Sequence, residues 1–407
     1  MAERREIRTA VVGAGVVGLL SAWRLRLAGH AVTIIDPAPV SGASYAAAGM
    51  LAPISEVQYG QQELWPLMAA SRTEYPELLA TLEQATTTPT GYLENGTLLL
   101  AADPGDRAAV VDLVDLQQRH GMQVEPLTSS ALRRREPALA PVAKAWDVPS
   151  DHQVDPRQLA RCATAALSAD LSGTFPEAGP AAQWVAASVT EIEREAGRVR
   201  LTTEDGHHIQ ADKALLVPGL GYTSIGGIPQ RHPLHLRPVH GDVLRLRVRP
   251  SQLLPGESHV LSTTVRAKVG GRSVYLVPRA HGGLVIGASS REDDLADTHA
   301  GSVLELLEDA ATVLPAVREM QLEEITTRAR PGTPDDRPYL GLLAADEGDG
   351  AVAVSTGFSR HGILLAPLAA RLAAALLGGT TSGTTGLNDT GLDNTDQQLL
   401  ETMSPAR

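Results

Sequence analysis

A two-domain fold, α/β with an α+β second domain, is what the sequence predicts, and three observations carry the prediction. Residues 9–36 read as strand, glycine turn, helix and strand. Residues 214–217 are a short unbroken apolar run and 352–355 a second one closing on Ser355, as expected of strands buried on both faces of a parallel sheet. Residues 236–286 instead alternate apolar and polar side chains in several short stretches, as antiparallel strands do. A chain of 407 residues exceeds what one core supports. The pattern divides it into a discontinuous parallel-sheet domain (1–85, 150–230 and 325–380), an antiparallel-sheet domain (86–149 and 231–324), and a linker and tail (381–407).

The first unit starts with an apolar run ending at Val12 and breaks at Gly13, Ala14, Gly15, Val16, Val17 and Gly18. It then follows helical spacing to Ala28, stops at Gly29, and resumes as an apolar run, 32–35, ending on Asp36. This order suits a dinucleotide. Gly13 permits the tight turn, Gly15 lets backbone approach the pyrophosphate, and Gly18 lets the helix pack closely on its strand. The helix N-terminus then faces the phosphate charge. Asp36, 18 residues after Gly18, is spaced to receive ribose hydroxyls. FAD and NAD fit this motif equally.

The loop 37–53 is so rich in Gly and Ala that a flat ring or a phosphate can lie on its backbone, though a plain connection to the next helix fits the composition as well. Leu64, Leu67, Met68, Tyr75, Leu78, Leu79 and Leu82 recur at helical spacing, giving one helix or a broken pair. Residues 91–103 read as a hairpin turning at Glu94-Asn95-Gly96. Helices are expected at 106–120 and 129–135, then at 157–167 behind an Asp155 cap with Pro156 in first position. Hairpins follow at 187–203 and 274–286, with strands at 145–148, 241–249 and 322–329. The run 214–217 ends in Pro218-Gly219, a strand end where ligands of such sheets lie. Residues 301–314 form a helix, 330–336 a rigid polar turn, and 356–362 a glycine-flanked turn feeding a helix at 363–377. Residues 380–394 are a flexible linker by composition, and 396–407 a last short helix.

Composition excludes several classes. A formal net charge of -12 argues against nucleic acid and anionic membranes, and two Phe argue against a base-stacking platform. No apolar run reaches the roughly 18 residues of a membrane span, and charge directly precedes the first strand, so a soluble, unprocessed, cytoplasmic chain is expected, with room for a homo-oligomer. The single cysteine, Cys162, excludes an intrachain disulfide and reads as a small core residue. His232, His235 and His240 lie within nine residues, but their spacing misses one helix face and no carboxylate completes a ligand set, so no metal is expected.

With the dinucleotide unit stand four further stretches: GASYAAAGMLAP at 42–53, YLVPRAHGGLVIGAS at 275–289, RPGTPDDRPYLG at 330–341 and TGFSRHGILLAP at 356–367. Together they resemble the D-amino-acid oxidase superfamily of flavoproteins, and within it the glycine oxidases of the thiazole branch of thiamine biosynthesis. The resemblance spans 9–377 and implies a Rossmann-like FAD-binding domain interleaved with a substrate domain, non-covalent FAD, a small amino-acid substrate and O2. It implies that Val16 and Val17 cover the pyrophosphate, Asp36 the adenosine ribose and Ser44 the phosphates. Ala48, Gly49 and Met50 would lie along the flavin, Val189 would hold the adenine, and Gly357, Arg360, His361, Gly362, Ile363 and Leu364 would cradle the flavin's far edge.

For the substrate, the resemblance implies that Arg330 pairs with the carboxylate and Tyr275 donates to it, with Arg360 closing the site. On its own, without the motif, Arg330 reads first as a surface ion pair with Asp335 or Asp336. Ser273 and Ser290 stand where such enzymes carry histidine and methionine, which widens or polarises the pocket, and VPGLG at 217–221 departs from the usual strand end. The implied reaction is oxidative deamination of glycine. Oxidation of sarcosine or a small D-amino acid, or a non-catalytic FAD-binding module, are the alternatives.

Overall fold

In a computed structural model of the chain, the described residues are 6–195, 197–228, 234–253, 255–293, 295–343, 350–378 and 392–407. Two sheets dominate. The first has six strands in the order Tyr339–Leu342, Ala351–Thr356, Lys213–Leu216, Arg8–Val12, Ala31–Ile35 and Gln183–Val185. All neighbours are parallel except the edge pair of Tyr339–Leu342 with Ala351–Thr356. The central strands read as apolar runs because both faces are covered. Helices Val16–Leu27, Leu64–Ala85, Pro156–Ser168 and Gly362–Gly378 pack on one side, and the small sheet of Val189–Glu195, Arg198–Thr203 and His208–Ala211 packs on the other.

The second sheet has eight strands in the order Gln321–Gly332, Arg237–Arg247, Gly283–Gly287, Arg272–Pro278, Thr264–Val269, Thr97–Ala101, Lys144–Val148 and Glu125–Leu127. Its one parallel pair joins Thr264–Val269 to Thr97–Ala101. Helix Ala300–Val313 covers its outer face, while Val243, Val277 and Val285 meet Ala46 and Ala48 on the inner face. The sheets thus close over the alanine-rich loop.

Several elements differ from expectation. Tyr92–Leu93 and Thr97–Ala101 do not pair with each other. Tyr92–Leu93 pairs with His152–Val154, and Thr97–Ala101 enters the large sheet, because the Gly96 turn at φ +67° hands the chain from one sheet to the other. Leu64–Ala85 is one helix despite Pro76. Gln183–Val185 adds an edge strand that the sequence reading does not include. The strand expected at 322–329 runs to Gly332, so Arg330 sits in a strand opposite Val239 rather than in a turn. That strand straddles the expected boundary at 325 and pairs with the eight-stranded sheet. The loop 37–53 contains a short helix, Ala43–Ala46, and the strand Met50–Leu51. The tail forms helix Asn394–Thr402 and docks its end on the parallel sheet, Leu340 N–H donating to Met403 C=O at 2.8 Å. Most of the expected linker, like His232, lies outside the described residues.

Residues Ser359–Gly378 make a helical stretch long and apolar enough to cross a membrane, longer than the sequence reading allowed. Its side chains are core: Leu364, Leu365, Leu368, Leu372 and Leu377 are buried against the 16–27 and 64–85 helices.

Candidate active site

The glycine turn is tight for steric reasons. Gly13 has φ +105°, and a Cβ there would meet the Val217 carbonyl, while a Cβ on Gly18 would strike the carbonyl of Gly13. The helix therefore starts directly against the strand. Gly15 caps it without a side-chain bond, and the Ser44 hydroxyl accepts from Val16 N–H at 3.0 Å. Asp36 accepts from Ala14 N–H at 2.6 Å and Ala38 N–H at 2.8 Å, which fixes the turn and leaves carboxylate lone pairs for further donors.

From this turn a single cavity of about 670 Å³ runs between the two sheets. Gly13, Gly15, Val17, Gly18, Asp36, Ser44 and Gly219 line one end, Ala48, Gly49 and Met50 the middle with Arg360, Gly362 and Ile363, and Tyr275 and Arg330 the far end. Five expected site residues do not line it. Val16 is buried as the first residue of its helix, Val189 pairs with Thr203, and Leu364 points into the core. Gly357, at φ +77°, turns against Thr333 and Tyr339, and His361 is buried behind Arg360.

Ala48 and Gly49 have little side chain to fix them, and the stretch is held through its backbone: Gly49 C=O accepts from Val154 N–H at 2.9 Å, Met50 pairs with Gln153, and three arginines brace the carbonyls at 45–48. Arg157 and Arg245 donate to the Tyr45 carbonyl at 2.9 and 3.0 Å, and Arg279 donates to the Ala48 carbonyl. Arg157 also stacks 3.6 Å from the Tyr45 ring centroid and is held by Glu324. Burial lowers the Arg279 guanidinium to about 10, with Asp155 opposing the shift. Sequence reasoning did not single out these arginines. The available signal was charge at inward positions of otherwise apolar strands, as at Arg279 in YLVPR.

Two strand glycines make room for the far end. A Cβ on Gly241 would occupy the position of the Arg330 guanidinium, and a Cβ on Gly287 that of the Tyr275 ring. Asp335 pairs with Arg337 and Arg407, and Asp336 accepts from Gln61, so neither serves Arg330. Arg330 has only the Ser289 carbonyl, 3.5 Å from both Nη atoms, and no carboxylate partner among the described residues. Burial raises the Tyr275 phenol, so it is a neutral donor, with Arg330 opposing the shift.

Above Met50 lies a charge cluster the sequence did not announce. Glu56, 7% exposed, bonds Arg266 at 2.6 Å and lies 3.3 Å from His361 Nδ1. Burial opposes its ionisation, but Arg266, His361 and Arg360 outweigh burial and hold the carboxyl at about 2. Burial lowers His361, whose Nε2 accepts from Arg360 Nε at 3.1 Å, so the ring is neutral with its proton toward Glu56. Arg360 also donates to the Glu56 carbonyl and to Gln61.

The arrangement is a flat-walled slot with an anion-favouring turn at one end and, at the other, a guanidinium without a carboxylate partner among the described residues. The model of the D-amino-acid oxidase family, FAD dependent oxidoreductases, matches residues 8–376. The chain belongs to that family. It is similar to glycine oxidase from Geobacillus kaustophilus, 31% identical over 90% of this chain and 92% of that protein, and the crystal structure of that enzyme superposes with a TM-score of 0.77 over 91% of this chain and 95% of that one. The bifunctional protein ThiO/ThiG of Synechocystis sp. is 30% identical over 98% of this chain and 53% of its own length, so the chain spans about half of that relative. As a member of this FAD-dependent family the chain is an oxidoreductase, and its site fits the cofactor. The close-packed glycines admit phosphates at the N-terminus of the 16–27 helix, whose Gly15 cap has no side chain, and the braced 48–50 backbone offers a flat seat. Among the described residues no His, Cys, Asp and Glu group could hold a metal. Cys162 is buried in its helix, burial raising the thiol to about 11.

Proposed function

We propose that the protein oxidises glycine or another small amino acid to the 2-oxo acid, with O2 reduced to H2O2, in support of thiazole synthesis for thiamine. The observation that supports this most is Arg330: a guanidinium without a carboxylate partner among the described residues, facing the cavity beside a neutral phenol. Arg330 takes the substrate carboxylate as a two-pronged pair, and the Tyr275 hydroxyl donates a further bond. Phosphates sit at Gly13, Gly15 and Ser44, the ribose at Asp36, and the ring along Ala48, Gly49 and Met50.

Bound FAD supplies a two-electron acceptor that O2 can regenerate. The residues contribute position: Arg330 and Tyr275 fix the carboxylate, which fixes the α-carbon over the 48–50 seat. The helix N-terminus at Gly362 and Ile363 favours negative charge at the ring's far edge. Overall, amino acid, water and O2 become 2-oxo acid, ammonia and H2O2. The test is anaerobic bleaching of the yellow protein by glycine, with glyoxylate and peroxide formed in air. Sarcosine and small D-amino acids serve as the comparison panel. Absence of bleaching by every small amino acid refutes the proposal.

A further inference from the structure

Arg360 reaches the cavity from the turn before helix Gly362–Gly378, and two of its three nitrogens are already committed. Its Nε donates to His361 Nε2 at 3.1 Å, and its Nη2 donates to the Glu56 carbonyl at 3.2 Å and to the Gln61 side-chain oxygen at 3.1 Å. Nη1 has no hydrogen-bond partner among the described residues. Burial lowers this guanidinium; Glu56 and Asp336 oppose the shift, and Arg266 and Arg330 add to it. An anion between Arg330 and Arg360 therefore relieves two cations at once.

The contact through Gln61 depends on a distant part of the chain. Gln61 lies in the loop before helix Leu64–Ala85, and its Nε2 donates to Asp336 at 2.7 Å. A carboxylate only accepts, so Asp336 takes the NH2 side of the amide and turns the oxygen to Arg360. Freed of Asp336, the same amide can present its NH2 group to the guanidinium, which repels it. The turn around Asp336 is tightly held. Thr333 Oγ1 donates to the Arg337 carbonyl at 2.9 Å, Arg337 N–H donates to Asp335 at 3.1 Å, and Arg407 Nε donates to Asp335 at 3.0 Å. A second clasp, Arg337 with Glu63, joins the same two segments. Asp336 itself has φ +59°, a left-handed conformation that glycine adopts at less cost, so the turn alone gives no reason for a carboxylate there. Gln61 and Asp336 are half-buried, and neither lines the cavity.

We infer that Asp336 and Gln61 are positioning residues for substrate binding, which together aim the remaining donor of Arg360 at the carboxylate of the amino acid without touching it. This rests on the amino-acid oxidase reading above, with Arg360 closing the site over the substrate.

The experiment uses the FAD-loaded full chain with Asp336→Gly, Asp336→Asn, Gln61→Leu and the double variant of Gln61→Leu with Asp336→Gly. Turnover of the best small amino acid of the panel above is measured as peroxide. Acetate, a carboxylate without an amine, is titrated anaerobically against the flavin absorbance. Asp336→Gly removes the carboxylate but suits the turn, so the melting temperature and FAD retention should hold. KM for the amino acid and Kd for acetate should rise at least fivefold, with kcat within twofold. Asp336→Asn tolerates the same φ and can still accept from Gln61, so both constants should return to within twofold of the unaltered protein. Gln61→Leu should match Asp336→Gly, and the double variant should be no worse than either, because both changes break one chain of contacts. Constants that move less than twofold in Asp336→Gly overturn the inference and leave the oxidase reading standing. So does a rise that comes with weaker FAD retention or a lower melting temperature, which is general loosening. A double variant that multiplies the two single effects does the same. An unaltered protein whose flavin is neither bleached by any small amino acid nor shifted by acetate overturns both.

Discussion

Replacing Glu56 by glutamine removes one charge from a site that holds two half-buried arginines and a buried histidine around it. The folded carboxyl lies near 2 against an ordinary 4.5, a shift of about 2.5 pH units. At 1.36 kcal/mol per unit this is about 3 kcal/mol of stability, present above the unfolded value and lost as pH falls through the folded one. The residue is almost fully buried, so solvent screening takes little from this. Glutamine keeps an oxygen for Arg266, which leaves an expected loss of about 2–3 kcal/mol at pH 7. The assay is thermal unfolding of the apoprotein from pH 7 to 8, where a downward shift of roughly 3 °C is expected for a chain of 407 residues. The shift should be flat over that range, because burial keeps His361 neutral there. Equal midpoints, or a gap that widens between pH 7 and 8, would refute the account of the cluster.

Three further outcomes follow from the same geometry. In Gly18→Ala the new methyl meets the Gly13 carbonyl, which is backbone and cannot yield, so FAD retention measured by equilibrium dialysis should weaken at least tenfold. In Gly241→Ala the methyl displaces only the flexible end of Arg330, so the melting temperature should hold while KM for the amino acid rises tenfold or more. Asp151 accepts from Ser55 N–H at 2.6 Å and Ile54 N–H, yet burial raises it to about 6 from 3.8. The folded state binds this proton more tightly than the unfolded one, so its contribution is full below pH 4 and falls by about 3 kcal/mol as pH rises through 6. Asp151→Asn should therefore flatten the pH dependence of stability between 4 and 6, which chemical denaturation at pH 4.5 and 6.5 measures.

What the sequence shows and what it hides divide along a physical line. The turn at Gly13, Gly15 and Gly18, the Asp36 spacing and the buried runs at 214–217 and 352–355 are local patterns with local causes, and they reappear as the centre of the parallel sheet. Contacts between distant residues have no such signature. Glu56 and Arg266 are 210 positions apart, and Arg157 meets Glu324 across 167. The Gly96 turn looks like a hairpin because its flanks alternate, and only the competing partners at 153 and 264 send those flanks to different sheets. Arg330 is similar. Its chemistry is readable, but the Gly241 gap that accommodates it lies on another strand.

The three arginines around the 45–48 carbonyls come from different layers: Arg157 from a helix on the parallel sheet, Arg245 and Arg279 from the large sheet. A seat held from both sides belongs to neither. Loosening the large sheet withdraws two of the three arginines and leaves Arg157 and the pairing of 49–51 with 152–154, so melting the substrate half should weaken the hold on FAD. Flavin release is then expected to track the loosening of the large sheet, so the colour of the protein should report on a layer far from the glycine turn.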